Sequence, residues 1–315
     1  MKQPWLSVII PTYNGQKYLT ETLDSIVIQR DDNIECLAID DGSTDDTLEI
    51  AKSYQSKLSI EIIERKQGNW VANTNYGLSV ARGEYACFLH QDDRWELGRL
   101  ATMQKAIAQH PQASLYLHPT LFIDTKGNPL GIWHCPFKNL ETISPPKSVE
   151  KLLVQNFIAI PAPIFKRQLA LDVGRMDETL WYTADWDFWL KLASSGDTVY
   201  CPQALAAFRV HRDSQTIKRS SSVADFHQQM KLVVAKHLAL WKEREFSPEV
   251  ESVAWFSTEV NTTLAAMVHG ETTNLWKLGW NFINLGTFGW YRYWRDSRIQ
   301  ERVLARLKAK LPAQT

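Results

Sequence analysis

Cysteine is scarce and scattered in this chain. Cys36, Cys87, Cys135 and Cys201 lie far apart and form no CxxC pair. Cys36 and Cys87 sit inside apolar runs, where a thiol behaves as a small hydrophobe, so a reducing, cytoplasmic setting is expected. Glycine is missing where a dinucleotide site needs it: the turn after the first strand reads Pro11-Thr-Tyr-Asn-Gly15, with one glycine and no GxGxxG. There is no GxxxxGK[ST] loop, no HExxH and no GxSxG elbow. Hydride transfer, P-loop NTPase chemistry, zincin proteolysis and α/β-hydrolase chemistry are therefore disfavoured. No apolar run reaches transmembrane length, and Met-Lys-Gln-Pro-Trp leads straight into a strand, so no signal peptide is expected. Repeats and low-complexity tracts are absent too. Net charge is zero, with 35 Lys and Arg against 35 Asp and Glu, which does not look like a nucleic-acid binder.

What is present is an alternation of strand and helix signals. The apolar runs Leu6–Ile10, Ile34–Ile39, Leu58–Ile63 and Tyr85–Leu89 are separated by helical periodicity through Tyr18–Val27, Leu48–Ala51, Val71–Ala81 and Leu97–Ile107. This order predicts an α/β fold, a doubly wound and mostly parallel sheet flanked by helices. Further strands are expected over Ser114–Asp124, Ile158–Phe165 and Val199–Val210, with a helix over Ala184–Ala193. Beyond Ser214 the signals are helical. A boundary in the Ser/Arg-rich stretch Arg212–Ser222 divides a catalytic unit, 1–215, from a helical extension, 216–315.

In parallel sheets, ligands bind at the carboxyl ends of the strands. Those ends carry Thr12-Tyr13-Asn14, Asp40-Asp41 and His90-Gln91-Asp92-Asp93. Two adjacent carboxylates repel each other and need a cation or several donors to stay ionised. Hard cations such as Mg²⁺ or Mn²⁺ bind through one or two carboxylates plus the phosphate oxygens of a substrate. Taken alone, the pair reads equally well as a turn that caps the next helix.

Four segments in order, SVIIPTYNG, AIDDGSTDDT, YGLSVARGEYACFLHQDD and ADWDFWLKLASSG, resemble the family 2 glycosyltransferases of GT-A fold, over roughly residues 5–215. The resemblance implies an inverting, metal-dependent transfer of a sugar from a nucleotide-diphosphate donor to a glycan or lipid-linked acceptor, in cell-surface polysaccharide or glycoconjugate synthesis. It implies that Pro11, Thr12, Tyr13 and Asn14 line the nucleotide pocket and that Asp41 bonds the base or ribose, with Asp40 structural. Asp93 would be the direct Mg²⁺ or Mn²⁺ ligand, and Asp92 the contact to ribose or a metal-bound water. Asp185 would be the catalytic base, with a helix N-cap as its plainer reading. Asp187 reads as a solvent or acceptor-side residue. Trp181, Trp186 and Trp189 would surround the base, although Trp189 also fits a core position. His211 matches a metal or diphosphate contact, with a structural role equally open, and Arg209 and Arg212 would either screen the diphosphate or lie on the surface. Asn75 is the expected nucleotide contact of the segment Gly68–Gly77, against a role on the helix surface. Two departures from the family pattern, His90 for an acidic residue and Ala184 for Glu, keep a rival open: a catalytically inactive protein that binds nucleotide or glycan. A nucleotidyltransferase is a weaker rival, because no Gly/Lys/Arg-rich phosphate loop follows the first strand.

The last forty residues differ in character. From Trp276 onward there are eight Lys and Arg against two Asp and Glu, a net charge of +6. Trp276, Trp280, Phe282, Phe288, Trp290, Tyr291, Tyr293 and Trp294 precede a basic helix with Arg298, Arg302 and Arg306. This fits a peripheral contact with an anionic membrane at the inner face, or a helix packed on the catalytic unit.

Overall fold

The computed structural model describes residues 3–138, 140–211, 222–241 and 246–310. The chain begins as expected: β1 (Leu6–Thr12), α1 (Leu19–Val27), β2 (Ile34–Asp40), α2 (Thr47–Ser53), β3 (Ile60–Glu64), α3 (Trp70–Val80) and β4 (Tyr85–Phe88). Helix α3 starts where the Asn69 side chain accepts from the backbone N–H groups of Val71 and Ala72, which leaves fewer unpaired donors in its first turn. It lies close to the sheet: a Cβ on Gly77 would come within 2.6 Å of Ile9. Next come β5 (Arg94–Trp95), α4 (Arg99–Gln109), β6 (Leu115–Leu117), β7 (Thr120–Ile123), β8 (Pro129–Trp133), β9 (Glu141–Ile143), α5 (Pro145–Val154), β10 (Ile164–Lys166), α6 (Arg167–Asp172), α7 (Ala184–Ser194), β11 (Thr198–Tyr200) and β12 (Ala206–Arg209). The described C-terminal helices are α8 (Val223–Leu240), α9 (Glu249–Val268), α10 (Leu275–Asn284), α11 (Gly286–Ser297) and α12 (Ile299–Lys310).

An eight-stranded sheet runs in the order β3-β2-β1-β4-β10-β6-β11-β9. Its first four strands are parallel, while β10 is antiparallel to both β4 and β6. One apolar cluster, with Leu19, Leu23, Leu100 and Met103, covers one face of the sheet. The other, with Val71, Leu152, Phe188 and Trp189, covers the opposite face. The mixed α/β layering and the C-terminal helices are as predicted.

Three strand expectations need correction. Ser114–Asp124 is not one strand but two, β6 and β7, broken at His118-Pro119. Proline has no N–H for the ladder, so the strand cannot run through it. Val199–Val210 likewise splits, around Pro202, into β11 and β12. Both chains step from the large sheet into a second one, of order β5-β12-β7-β8, and pair parallel in each. Of Ile158–Phe165 only the end, from Ile164, is strand. From β12 of the small sheet, Phe208 lines the same cavity as Pro11 and Thr12 at the end of β1, and the Arg209 N–H bonds Asp93. The boundary segment Arg212–Ser222 lies almost wholly outside the described residues.

The C-terminal helices are fastened to the α/β part of the chain. Gln155, at the end of α5, bonds Ser257 and Asn261 of α9, all buried. Lys151 pairs with Asp296 at 2.8 Å. The basic helix α12 packs on β8: Glu301 accepts from the backbone N–H of His134 at 2.8 Å, and Ala305 is buried beside Phe122 and Trp133. Of the two readings of that helix, the structure supports packing. The exposed aromatic side chains of this region belong to α10 and α11, with Trp276, Trp280, Phe288, Tyr291 and Trp294, and Leu304 and Leu307 of α12 are exposed as well. Among the described residues no helix is long and apolar enough to cross a membrane.

Candidate active site

Asp40 closes β2, and its carboxylate is fully engaged. It accepts from the Thr12 hydroxyl (2.9 Å), the Ser43 hydroxyl (2.6 Å) and the backbone N–H groups of Gly42 and Ser43. This is an Asx-type turn, and it leaves the next residue, Asp41, pointing into the cleft. Asp41 Oδ1 takes the N–H groups of Gln67 (2.7 Å) and Gly68 (2.9 Å). Asp40 thus makes the turn, while Asp41 lines the cavity described below.

The loop after β1 is held by Gln91, whose amide bonds the N–H (2.8 Å) and the C=O (3.0 Å) of Tyr13. Gly15 lets the Gln91 amide approach closely: a Cβ there would run into Gln91 Oε1 and push that amide off the Tyr13 backbone. Asn14 adopts a left-handed conformation, φ 46°, and its side-chain oxygen accepts from the Thr44 N–H at 2.8 Å.

One cavity is lined by Pro11, Thr12, Tyr13, Asp41, Trp70, Asn73, His90, Gln91, Asp92, Ile160, Trp181, Tyr182, Asp185 and Phe208. It unites Asp41, Asp92 and Asp185, residues far apart in the chain, at the strand ends. Among the described residues the lining holds three carboxylates and no lysine or arginine. Asn14 and Asn75 are not brought to it. Asn75 is buried and clamps α3 to the segment before α7, donating to Met176 O and Glu178 Oε1 (2.9 Å each) and accepting from Met176 N (3.1 Å). Two residues earlier, Asn73 lines the cavity, and its buried Oδ1 has no partner among the described residues.

The acidic pair divides differently from the sequence expectation. Asp92 lines the cavity, while Asp93 is buried behind it. Asp92 Oδ2 meets His211 Nε2 at 2.8 Å. Burial works against the Asp92 carboxylate, but that hydrogen bond and the charges of His90 and His211 hold it below the ordinary range. Burial, and then repulsion by Asp92, push Asp93 well above its ordinary value, although the Arg209 N–H donates to its Oδ1 at 3.0 Å. Arg209 neither screens a diphosphate nor lies on the surface. It is buried, and its guanidinium is spent on Asp92 O (2.8 Å), Asp124 O (2.9 Å) and Glu21. Arg212 lies outside the described residues.

Two buried atoms beside this pair have no partner among the described residues, Asp93 Oδ2 and His211 Nδ1. If neutral His211 carries its proton on Nε2 toward Asp92, the Nδ1 lone pair is free. A carboxylate oxygen and an imidazole nitrogen next to the half-buried, cavity-lining Asp92 suit a divalent cation that takes its remaining ligands from substrate phosphates and water. Among the described residues no cluster of three or more His, Cys, Asp or Glu forms a complete cage, so the donors fit a cation shared with a ligand.

Asp185 is the second residue of α7, whose N-cap is Thr183, so it does not cap the helix. Its Oδ2 accepts from Asn156 Nδ2 at 3.0 Å and its Oδ1 from Trp186 N at 2.8 Å. Burial raises its pKa to about 6, against the opposing pull of Asn156, the Trp186 N–H and the charge of Arg302. A carboxylate poised there can take up a proton near neutral pH. Asp187 is not at the surface: it is fully buried between Lys191 (2.9 Å), Lys236 (2.8 Å) and His237 (2.8 Å). Trp186 and Trp189 are core, Trp186 donating to Leu152 O. The aromatic wall is made by Trp181 and by Trp70, which sequence reasoning passed over. Trp70 stands edge-on to both Trp181 (6.3 Å) and His90 (5.3 Å). Its place at the N-terminus of α3, just past Asp41 in the sheet order, was the available signal.

The fold agrees with known proteins. The structure matches S. aureus TarS residues 1–349 in complex with UDP at a TM-score of 0.63 and 20% identity, across 98% of this chain and 93% of that one. It matches the mannosyltransferase PcManGT from Pyrobaculum calidifontis, in complex with GDP-Man and Mn²⁺, at 0.55 and 18%, across 98% and 88%. At such identities the likeness concerns the fold, which is of GT-A type. An uncharacterized glycosyltransferase of Rickettsia typhi is 30% identical over 227 residues, 68% of this chain and 66% of that protein. An uncharacterized protein of Mycobacterium tuberculosis is 29% identical over 217 residues, 65% of this chain. The chain thus spans about two thirds, or less, of the length of these relatives. A model of the family described as Glycosyl transferase family 2 matches residues 7–158, the stretch that carries Thr12, Asp41 and Asp92. By that match and those relatives, the chain belongs to glycosyltransferase family 2.

Proposed function

We propose that this chain transfers a sugar from a nucleotide-diphosphate donor to an acceptor hydroxyl with inversion at the anomeric carbon. One observation carries the reading: Asp41, Asp92 and Asp185, far apart in the chain, share one cavity, and among the described residues its lining has no lysine or arginine. Three carboxylates in one cavity repel a diphosphate, and a divalent cation brought with the donor would offset that repulsion. Mg²⁺ or Mn²⁺, held by Asp92 or Asp93 with His211, would neutralise the diphosphate and stabilise the leaving nucleotide. Asp41, with Pro11, Thr12 and Tyr13, lines the nucleotide end. The solved complexes with UDP and with GDP-Man and Mn²⁺ support a nucleotide-sugar donor and a divalent cation.

Asp185 takes the proton of the acceptor hydroxyl. The acceptor oxygen attacks the anomeric carbon as the bond to the diphosphate oxygen breaks, and the electron pair leaves with the nucleoside diphosphate. One carboxylate suffices for this displacement. Trp70 and Trp181 offer aromatic edges and faces to the sugar. The acceptor is a glycan or a lipid-linked saccharide, in cell-surface polysaccharide or glycoconjugate synthesis. The four free buried cysteines suit a reducing cytoplasm. The exposed aromatic faces of α10 and α11, in a segment of net charge +6, suit contact with an anionic membrane surface.

The test is a screen of UDP-, GDP- and dTDP-sugars with and without Mn²⁺, first by thermal shift and then by transfer. Stabilisation by one nucleotide that requires the cation is the expected result. A protein that no nucleotide stabilises, with or without cation, would sink the reading. Binding without turnover would favour the inactive binding protein.

A further inference from the structure

Between α5 and β10 runs a connection, residues 155–163, that carries Ile160 into the cavity wall. It is pinned at both ends. Gln155 is buried, and its Oε1 accepts from Ser257 Oγ (3.0 Å) and Asn261 Nδ2 (2.8 Å) of α9. Towards the other end, the buried Arg99 guanidinium donates to Pro161 O and Ala162 O, at 3.2 Å each. Buried polar groups satisfied in this way favour a single arrangement of the chain. Between the pins lies Asn156. The backbone N–H of Ile158 can meet only an acceptor, and it takes the amide oxygen of Asn156 at 3.2 Å. That contact sets which way the amide faces and turns its NH₂ onto Asp185 Oδ2, at 3.0 Å. The other carboxylate oxygen, Oδ1, accepts from Trp186 N. Helix α7 is itself tied to α5, where Trp186 Nε1 donates to Leu152 O at 2.7 Å. Both oxygens of Asp185 are thus held as it faces the cavity, one of them by a residue that does not line it.

We propose that Asn156 is a positioning residue for the base: it fixes the Asp185 carboxylate, and α9 fixes Asn156 through Gln155. This rests on the reading of Asp185 as the base. The Asn156 N–H acts in two ways. It holds the carboxylate towards the acceptor hydroxyl, where a small misplacement costs much of the rate. It also favours the ionised form against the burial that lifts Asp185, so the base is free of a proton when the acceptor arrives. The other titratable groups around Asp185 are Asp41, Asp92, His90, Tyr13 and Tyr182, which line the same cavity, Arg302 of α12, and Asp187 of α7, which is paired with Lys191, Lys236 and His237. A substitution at position 156 leaves all of them in place. Helix α9 lies beyond residues 7–158, the stretch that the family model matches. Part of the support of the base therefore comes from the C-terminal helices.

The experiment uses the full chain without ligand, with carbon-13 at the aspartate carboxyl carbons. The Asp185 resonance is identified by its loss in Asp185→Asn, and its midpoint is read against pH. Wild type is expected to titrate at about 6, and Asn156→Ala about one unit higher. Asn156→Asp keeps an oxygen for the Ile158 N–H but sets a second carboxylate against Asp185, so its midpoint should rise further. Turnover is then read at pH 8, where the base is ionised, as hydrolytic release of nucleoside diphosphate from whichever of the UDP-, GDP- and dTDP-sugars stabilises the wild type with Mn²⁺. Asn156→Ala should lower kcat at least about tenfold with KM for the donor unchanged. Asn261→Ala should move kcat and midpoint in the same directions, but less. If Asn156→Ala does not fold, Asn156→Asp, of the same shape, decides. A wild-type midpoint in the folded 156 variants, or a kcat loss matched by a fall in Tm at an unmoved midpoint, overturns the positioning role. Wild-type kcat and midpoint in Asn261→Ala overturn the part assigned to α9. Turnover that survives Asp185→Asn would overturn the base reading instead, and the midpoints would still report the Asn156 contact.

Discussion

Asp185 and Asp187, two residues apart in the first turn of α7, are pulled in opposite directions: burial lifts Asp185 to about 6, whereas Lys191, Lys236 and His237 hold Asp187 far below the ordinary carboxylate range. Asp185 ionises in the folded protein with more difficulty than in the unfolded chain. Its contribution is therefore neutral below about pH 4 and becomes a cost as pH rises through 6. Asp185→Asn should remove that cost, at most about 3 kcal/mol from the shift and less for the part that water reaches. The expected outcome is a Tm that rises above pH 6 and does not change below pH 4, with transfer lowered by about 10² to 10⁴ and nucleotide binding kept. Wild-type kcat/KM should climb through about pH 6 on its acid side. Activity untouched in Asp185→Asn would remove this residue as the base.

Asp187 gives the contrary prediction. Its folded pKa is depressed, so its stabilisation is present above the ordinary carboxylate pKa and is lost as pH falls below it. Asp187→Ala leaves three cationic or imidazole partners around a fully buried void. A loss of about 3–5 kcal/mol at pH 7 is expected, narrowing under acid conditions. Urea denaturation at pH 7 and pH 3.5 checks both the size and the trend. Because His237 and Lys236 belong to α8, the variant should also loosen that helix, visible as faster amide exchange over 223–240.

Removal of cation should act on the nucleotide and not on the fold. With three carboxylates in the cavity, EDTA is expected to weaken nucleoside-diphosphate binding at least about tenfold while leaving the ligand-free Tm unchanged. Asp92→Asn should blunt the response to Mn²⁺, because Asp92 is the member of the pair that reaches the cavity. Isothermal titration in matched buffers measures both. Equal affinity with and without cation would count against a shared metal.

The parallel half of the fold was legible because each apolar run ends in polar residues that a strand interior would not tolerate. The positions of Asp41, Asp92 and Asp185 at cavity-lining sites followed from those ends and from the order of the four segments. The rest depends on partners remote in sequence. Nothing near Asp187 indicates that His237 will meet it, and nothing near Asn75 announces Met176 and Glu178. Arg209 looked available because its consumers, Glu21 and Asp124, precede it by 188 and 85 residues. The second sheet escaped notice because Pro119 and Pro202 each break what periodicity reads as one strand. Asp92 and Asp93 part company only through remote partners: in the turn after β4, closed by the Asp93 N–H on His90 O, Asp92 meets His211 while Asp93 turns inward to the Arg209 N–H.

The aromatic face of α10 and α11 yields the last prediction. Trp276 is 92% exposed and Phe288 76%, an expense in water that membrane contact would relieve. Deleting everything after Leu275 would be a poor test, because α12 holds His134 through Glu301 and Asp296 holds Lys151. Substitution of the exposed rings alone leaves those contacts intact. Trp276→Ser/Trp280→Ser/Phe288→Ser should keep the wild-type Tm and bind vesicles containing anionic lipid at least about tenfold more weakly, given roughly 1.5–3 kcal/mol per fully buried large side chain. Added salt should weaken the wild type further, since the surrounding segment carries +6. Wild type and triple variant that float equally with anionic vesicles would place the contact elsewhere, and a wild type that dimerises through this face in the absence of lipid, as read by sedimentation, would assign the rings to a second copy of the chain.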